Sequence, residues 1–447
     1  MSQRPTEFGA ELRRRRLEVG LSLGGLAQRV HYSKGQLSKV ERGIKRPSRD
    51  LARLCDAVLD AKGALAALVL DHPSGTRPTV ETSVDEEVWL MRLSSDGQSR
   101  FEPMSRRQAV VAGAASIAGM SIGLPTISAK AEASTLLGAF RALFDQYRQL
   151  GQVASPGLLL PVLIAQTHAI QELSRQVGAH SRQELLRLGS RYAEYIGWLV
   201  QENGDEHGAL WWTRRAVDLA ETGGDHHLAA YAMVRRALVT LYREDAQQTI
   251  ELARQAQRGS VPPRICGLAA QREAQGHALA GDYDACMRSL ERARTMLARH
   301  TESSDSPVLG TTSLTDPAEM VRGWCLHDLG RPGAAAQVIE TQLAQVPPGA
   351  VRARVRFGVR QALAHAMDGE IDHACQLTRE LLPGITATGS ATVSADLRKL
   401  ARTLHRHPKN SSVRRLMPEL GAALRATTHQ GDQDAGRIHQ LPHRRRR

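Results

Sequence analysis

An all-α protein built in more than one part is what this sequence predicts, and three observations lead there. The chain is 42% hydrophobic but only 4% aromatic, with Ala, Leu and Arg abundant. That balance suits packed helices better than strands, which draw on β-branched and aromatic side chains. Apolar residues recur at helical spacing over residues 7–70 and again from about 134 to 426, with a stretch rich in Pro, Ser, Thr and Gly between them. At 447 residues the chain also exceeds what one hydrophobic core ordinarily organises.

The first helical region, residues 8–65, carries the most specific pattern. Leu26, Ala27, Val30, Leu37 and Val40 fall where two helices joined by a short turn face one core. Ser33 suits the N-cap of the second helix, and Gly43 stands where a helix end commonly needs left-handed backbone. The stretch "LSLGGLAQRVHYSKGQLSKVERGIKRPS" resembles the helix-turn-helix domains of phage-repressor type (Cro and CI, the Xre family). The resemblance runs through Leu21, Ser22, Leu26, Ala27, Val30, Ser33, Leu37, Ser38, Val40, Glu41, Gly43, Pro47 and Ser48. It implies a five-helix lambda-repressor-like domain over residues 1–70. Two positions depart from the family pattern. Leu23, followed by Gly24 and Gly25, replaces the usual glutamine that grips phosphate, and His31 replaces the turn glycine.

By this resemblance the recognition helix runs from about Lys34 to Arg42 and enters the major groove. Lys34, Gln36 and Lys39 are the expected base contacts: lysine donates to guanine O6 and N7, and glutamine both donates and accepts along a base edge. Ser33, Gly35, Ser38, Arg42, Lys45, Arg46 and Arg49 are expected to line the groove or meet phosphates. Phosphate contacts fix register and make binding salt-dependent without reading sequence. Arg13, Arg14, Arg15 and Arg16 cover every face of the first helix, so only one or two can approach DNA. Such domains read paired half-sites as dimers, which implies double-stranded DNA and a second copy of the chain as partners.

Residues 71–103 lose helical periodicity and read as a linker, with Val88, Trp89, Leu90 and Leu93 as a small apolar patch inside it. Residues 104–133 set Arg106 and Arg107 before an uncharged run from Ala109 to Leu124, the build of a twin-arginine export leader. As a helix that run spans about 24 Å, short of a bilayer core of about 30 Å. It also follows a domain whose work is cytoplasmic. The expectation is therefore a small-residue helix packed against the following region.

Residues 134–426 carry a loose repeat in which a turn glycine precedes a small residue by five positions: Gly204 and Ala209, Gly281 and Cys286, Gly330 and Ala335, Gly369 and Ala374. Glycine permits the tight turn between paired helices, and the small residue lets them approach. This resembles a tetratricopeptide array of helical hairpins, with room for one degenerate unit near "LYREDAQQTIELARQA". Tyr192, Tyr195, Trp198, Trp211 and Trp212 concentrate the scarce aromatics and suggest a ligand groove, with packing between helices as the alternative. Residues 427–447, ending in four arginines, read as a disordered basic tail.

The formal charge of +13 favours an anionic partner, nucleic acid above all. Five dispersed cysteines with no C-x-x-C pair suit a reduced, cytoplasmic chain. His226 and His227 lack metal-ligand spacing, and no P-loop, dinucleotide fingerprint or G-x-S-x-G is present. No cofactor, metal or enzyme activity is expected. The function expected is a sequence-specific transcription regulator whose repeat domain dimerises or senses a peptide, small-molecule or protein effector. The architecture is similar to regulators whose repeats bind a signalling peptide and to actinobacterial regulators of differentiation or secondary metabolism. The alternatives are an interaction scaffold that no longer reads DNA and a membrane-associated regulator.

Overall fold

Five short helices come first: α1 (Arg4–Glu18), α2 (Leu23–Arg29), α3 (Lys34–Glu41), α4 (Arg49–Val58) and α5 (Ala64–Leu70). They close on Phe8, Leu12, Leu26, Val30, Leu37, Leu51, Cys55 and Leu65, all buried. The computed structural model describes residues 4–70, 87–93, 99–105, 130–299 and 307–435.

After this domain two strands, β1 (Glu87–Leu93) and β2 (Ser99–Ser105), pair antiparallel with Glu87 opposite Ser105 and Leu93 opposite Ser99. They fall largely within the stretch read above as a linker, and the apolar patch of Val88, Trp89, Leu90 and Leu93 lies in β1. Val88, Trp89 and Phe101 are strand-favouring residues, and the pairing satisfies backbone groups that a plain linker would leave to water. The apolar run from residue 109 to 124 lies outside the described residues.

The rest of the described chain is helical. A leading pair, α6 (Lys130–Leu150) and α7 (Pro156–Gln176), is followed by successive hairpins. These are α8 (Ala179–Glu202) with α9 (Glu206–Thr222), α10 (Leu228–Tyr242) with α11 (Ala246–Gln255), and α12 (Pro263–Ala280) with α13 (Tyr283–Ala298). Then come α14 (Pro317–Asp328) with α15 (Pro332–Leu343), α16 (Val351–Met367) with α17 (Ile371–Thr388), and α18 (Ala391–Leu404) with α19 (Ser411–Ala435). The last helix passes the boundary at 426 expected for the array and continues to Ala435; residues 436–447 of the expected basic tail are outside the described residues.

Gly204, Gly281, Gly330 and Gly369 all adopt positive φ at the hairpin turns, and Ala209, Cys286, Ala335 and Ala374 are all buried against the preceding helix. A helical hairpin also forms at the stretch with room for a degenerate unit. Glu244 turns α10 into α11 at φ 59°, and Thr249, five residues on, is fully buried. Each turn with an aspartate two residues or fewer after it also has a cap: Asp205, Asp245 and Asp282 accept from Gly208, Gln248 and Ala285.

Arg352 ties the two ends of the array together. Its Nε donates to the Gly151 carbonyl at 2.7 Å, and one terminal nitrogen donates to Ala154 and Thr388 at 2.6 and 3.1 Å. The other approaches Glu202 at 3.3 Å, and Glu202 also accepts from Ser390 and Thr392. Burial alone would raise the Glu202 carboxyl, but the Arg356 and Arg352 charges and the two hydroxyls more than offset it and hold it low. Arg352→Met should cost about 3–5 kcal/mol, because it removes one of the two cations beside a buried carboxylate and leaves several buried carbonyls without their donor. Urea unfolding checks this, and adding Glu202→Gln should recover part of the loss.

Candidate nucleic-acid interface

The geometry of the helix-turn-helix follows from three serine caps and one unusual turn. Ser22, Ser33 and Ser48 each accept a backbone N–H from the first turn of α2, α3 and α4, at 2.9, 3.2 and 3.2 Å. Between α2 and α3 the chain reverses through His31 at φ 53°, a left-handed value that a non-glycine residue rarely takes. Gly43 at φ 71° ends α3.

α1 fixes the tilt of α3. The buried Arg16 pairs bidentately with Glu41, at 2.6 and 3.0 Å, and donates to the Leu21 carbonyl at 2.8 Å. Gly9 lets the two helices touch, since a Cβ there would lie 2.5 Å from the Glu41 carbonyl oxygen. Arg16 thus serves the fold, and Arg14 and Arg15 pair with Glu11 along α1.

Leu37 and Val40 bury one side of α3. At 100° per residue the opposite side centres on Gly35, Ser38, Lys39 and Arg42, with Lys34 at its edge and Gln36 rotated toward the core side. Lys34, Gly35 and Lys39 are exposed, and so are Ser33, Arg42, Lys45 and Arg46; Gln36 and Ser38 are half-buried. Of the expected base contacts, Lys39 therefore lies on the accessible side of α3, Lys34 stands at its exposed edge, and the half-buried Gln36 turns toward the core side. Leu23 packs against the hydrophobic core, so α2 begins with an anchor rather than a phosphate donor.

Arg49 has a different placement. Its guanidinium pairs with Glu244 of the array, and the same carboxylate accepts from Lys399 Nζ at 2.8 Å. Arg53, one turn along α4, is buried and lies 3.6 Å from Asp328. The domain rests on the row of hairpin turns. A Cβ on Gly63 would fall 2.8 Å from the Ala280 carbonyl oxygen, and one on Gly330 would fall 2.2 Å from that of Arg53. Arg406 stacks 4.7 Å over the Tyr32 ring, and the apolar core of the domain is continuous with that of α16 to α19. The sequence reading missed Glu244, Asp328 and Lys399. The repeat phase could have exposed Glu244, a carboxylate where the pattern calls for glycine.

The aromatic cluster divides. Tyr192 and Tyr195 are buried, with their hydroxyls donating to the Phe140 and Tyr147 carbonyls at 2.8 and 3.5 Å. Phe144 packs on both, and Trp198 stacks on Tyr195. These side chains hold α6 to α8 and do not line a groove, because their apolar area is spent between helices. Trp211 and Trp212 do border an open groove, beside Ile164, His168, Arg215 and Arg236. His226 and His227 are exposed, and the adjacent Asp225 pairs with Arg191. Among the described residues no group of His, Cys, Asp and Glu is arranged to hold a metal. No helix among them is long and apolar enough to cross a membrane.

Residues 7–69 match the family model of a helix-turn-helix domain, which supports an N-terminal DNA-binding domain of that kind. Neither a curated protein nor a solved structure matches the chain.

Burial alone would raise the Glu244 carboxyl, but Lys399, with Arg53 and Arg49, more than offsets it and holds it at about 2 from an ordinary 4.5. A depressed carboxyl lends its stabilisation in full above the ordinary value and loses it as pH falls toward the folded one. Protection of α4 from hydrogen exchange should therefore fall between pH 4.5 and about 2. Glu244→Gly should relax the turn by about 1 kcal/mol yet raise α4 exchange at neutral pH and flatten that acid dependence. Unchanged exchange in α4 would remove the bridge as a docking element.

Proposed function

We propose that this chain is a transcription regulator that reads DNA through α3, with the tetratricopeptide-like array serving to dimerise it or receive an effector. One observation carries the reading: Lys39, with Gly35 and Arg42, is exposed on the outward side of α3 and Lys34 is exposed at its edge, within the segment that matches a helix-turn-helix domain. Lysine at these places offers donors to base edges in the major groove. Arg42, Lys45 and Arg46, exposed beside them, supply the phosphate grip that Leu23 does not.

Leu23, half-buried and packed on the core, also favours a second reading, in which the domain binds partners without reading sequence. Binding-site selection on genomic fragments separates the two. Regulation predicts a defined, palindromic motif, with Lys34→Ala and Lys39→Ala each costing about 1–3 kcal/mol against it. Lys45→Ala should weaken all sequences alike and lower the salt slope by about one. Salt-sensitive binding with no motif, indifferent to Lys34→Ala and Lys39→Ala, would support the second reading.

A further inference from the structure

The first helices of the hairpins, α8, α10, α12, α14, α16 and α18, carry an unusual number of arginines into the interior of the array. Arg235 on α10 donates to Gln201 at 3.2 Å and lies 3.6 Å from Glu194. Arg356 on α16 donates to the Tyr242 hydroxyl at 2.7 Å, lies 3.6 Å from Glu202, and sits over the Tyr242 and Trp324 rings. Arg272 on α12 is close enough to feel the Arg356 and Arg235 charges and the Tyr242 and Tyr231 side chains.

Arg272 is the residue that the fold leaves unbalanced. One terminal nitrogen donates to the Gln275 amide oxygen, its Nε has no partner, and no carboxylate among the described residues pairs with it. The carboxylates beside its arginine neighbours are committed: Glu194 to Arg235 and the Tyr231 hydroxyl, Glu202 to Arg352, Arg356, Ser390 and Thr392. The amide nitrogens of Gln271 and Gln275, on the same helix and almost fully buried, are also without acceptors. Every unfilled group here is a donor. Burial, then the Arg356 and Arg235 charges, push the Arg272 guanidinium down to about 10, so it remains a cation at neutral pH. A buried cation without an anion is costly, whereas planar guanidinium groups bind carboxylate and phosphate bidentately.

We propose that the interior of the array binds a small anionic ligand, through a carboxylate or phosphate group, with Arg272 as the central contact and Arg235, Arg356, Gln271 and Gln275 around it. Tyr242 and Arg272 are half-buried, which keeps a route from the site to solvent. This site is separate from α3 and stands whether or not α3 reads DNA.

The test uses the full chain, with thermal unfolding and calorimetric titration against inorganic phosphate, succinate and sodium chloride at matched ionic strength. Phosphate or succinate should bind and raise the midpoint beyond the chloride control; which of the two does so tells a phosphate ligand from a carboxylate one. Arg272→Gln should weaken that binding by about tenfold or more and raise the midpoint of the unliganded chain, since it removes an unbalanced buried charge. The Lys34→Ala, Lys39→Ala double variant should bind both anions as the parent does, which separates this site from phosphate contacts on the DNA-binding side. Three results would overturn the proposal: no binding beyond chloride, binding that survives Arg272→Gln, or an Arg272→Gln chain that is less stable than the parent without ligand.

Discussion

The placement of the DNA-binding domain depends on a carboxylate held in a strained turn. Glu244 takes left-handed backbone at φ 59°, where the neighbouring hairpin turns use glycine. A non-glycine residue there costs of order 1–3 kcal/mol unless its surroundings hold it. What holds it is visible: Arg49 from the N-terminal domain and Lys399 from α18 both pair with its side chain. A glycine would suit the turn but leave those two cations, and Arg53 near them, without their shared counter-charge. The turn has exchanged local ease for a long-range bond.

Around that bond the hairpin repeat does two jobs with the same residues. Turn glycines allow the chain to reverse, and their missing side chains let another backbone come close. Gly281 and Gly330 receive the α4–α5 loop and the body of α4, and Gly369 receives the His31 ring. The row of turns thus becomes a platform shaped to one domain, while α3 stays exposed on the side away from Leu37 and Val40. Arg352 stabilises the platform from beneath by joining the α6–α7 loop, Glu202 and the end of α17.

Much of this was legible in the sequence because local physics fixes it. Serine caps, a left-handed turn residue and paired apolar spacings define α2 and α3 without help from the rest of the chain. Gly204, Gly281, Gly330 and Gly369 mark hairpin turns for the same reason. The illegible features depend on contacts between distant residues. Glu244 made one repeat unit look degenerate, because its cost in the turn is met by Arg49, nearly two hundred residues away. Tyr192 and Tyr195 looked available for a ligand because aromatic enrichment does not say which side of α8 meets α6. The β1–β2 hairpin was obscured because its apolar residues lie in a polar stretch, where pairing rather than composition makes the strand. The interior arginines gave no signal, since the surface is the usual place for that side chain.

Arg49 links these features to regulation. As a phosphate contact it would serve DNA binding, and as the partner of Glu244 it serves docking; one guanidinium cannot fill both roles at full strength. If DNA engages Arg49, the Glu244 bridge keeps only Lys399, and the docked arrangement loses part of its support. An anion bound near Arg272 acts on the same array from within. Its effect on DNA affinity is bounded by how differently it binds the docked and released arrangements, and a ligand with equal affinity for both changes nothing. By reciprocity, DNA would alter anion affinity by the same factor. Coupling thus requires that release of α4 disturb the helices that carry Arg235, Arg272 and Arg356. A direct path exists: Glu244 follows α10 immediately, and α10 carries both Arg235 and the Tyr242 hydroxyl that holds Arg356.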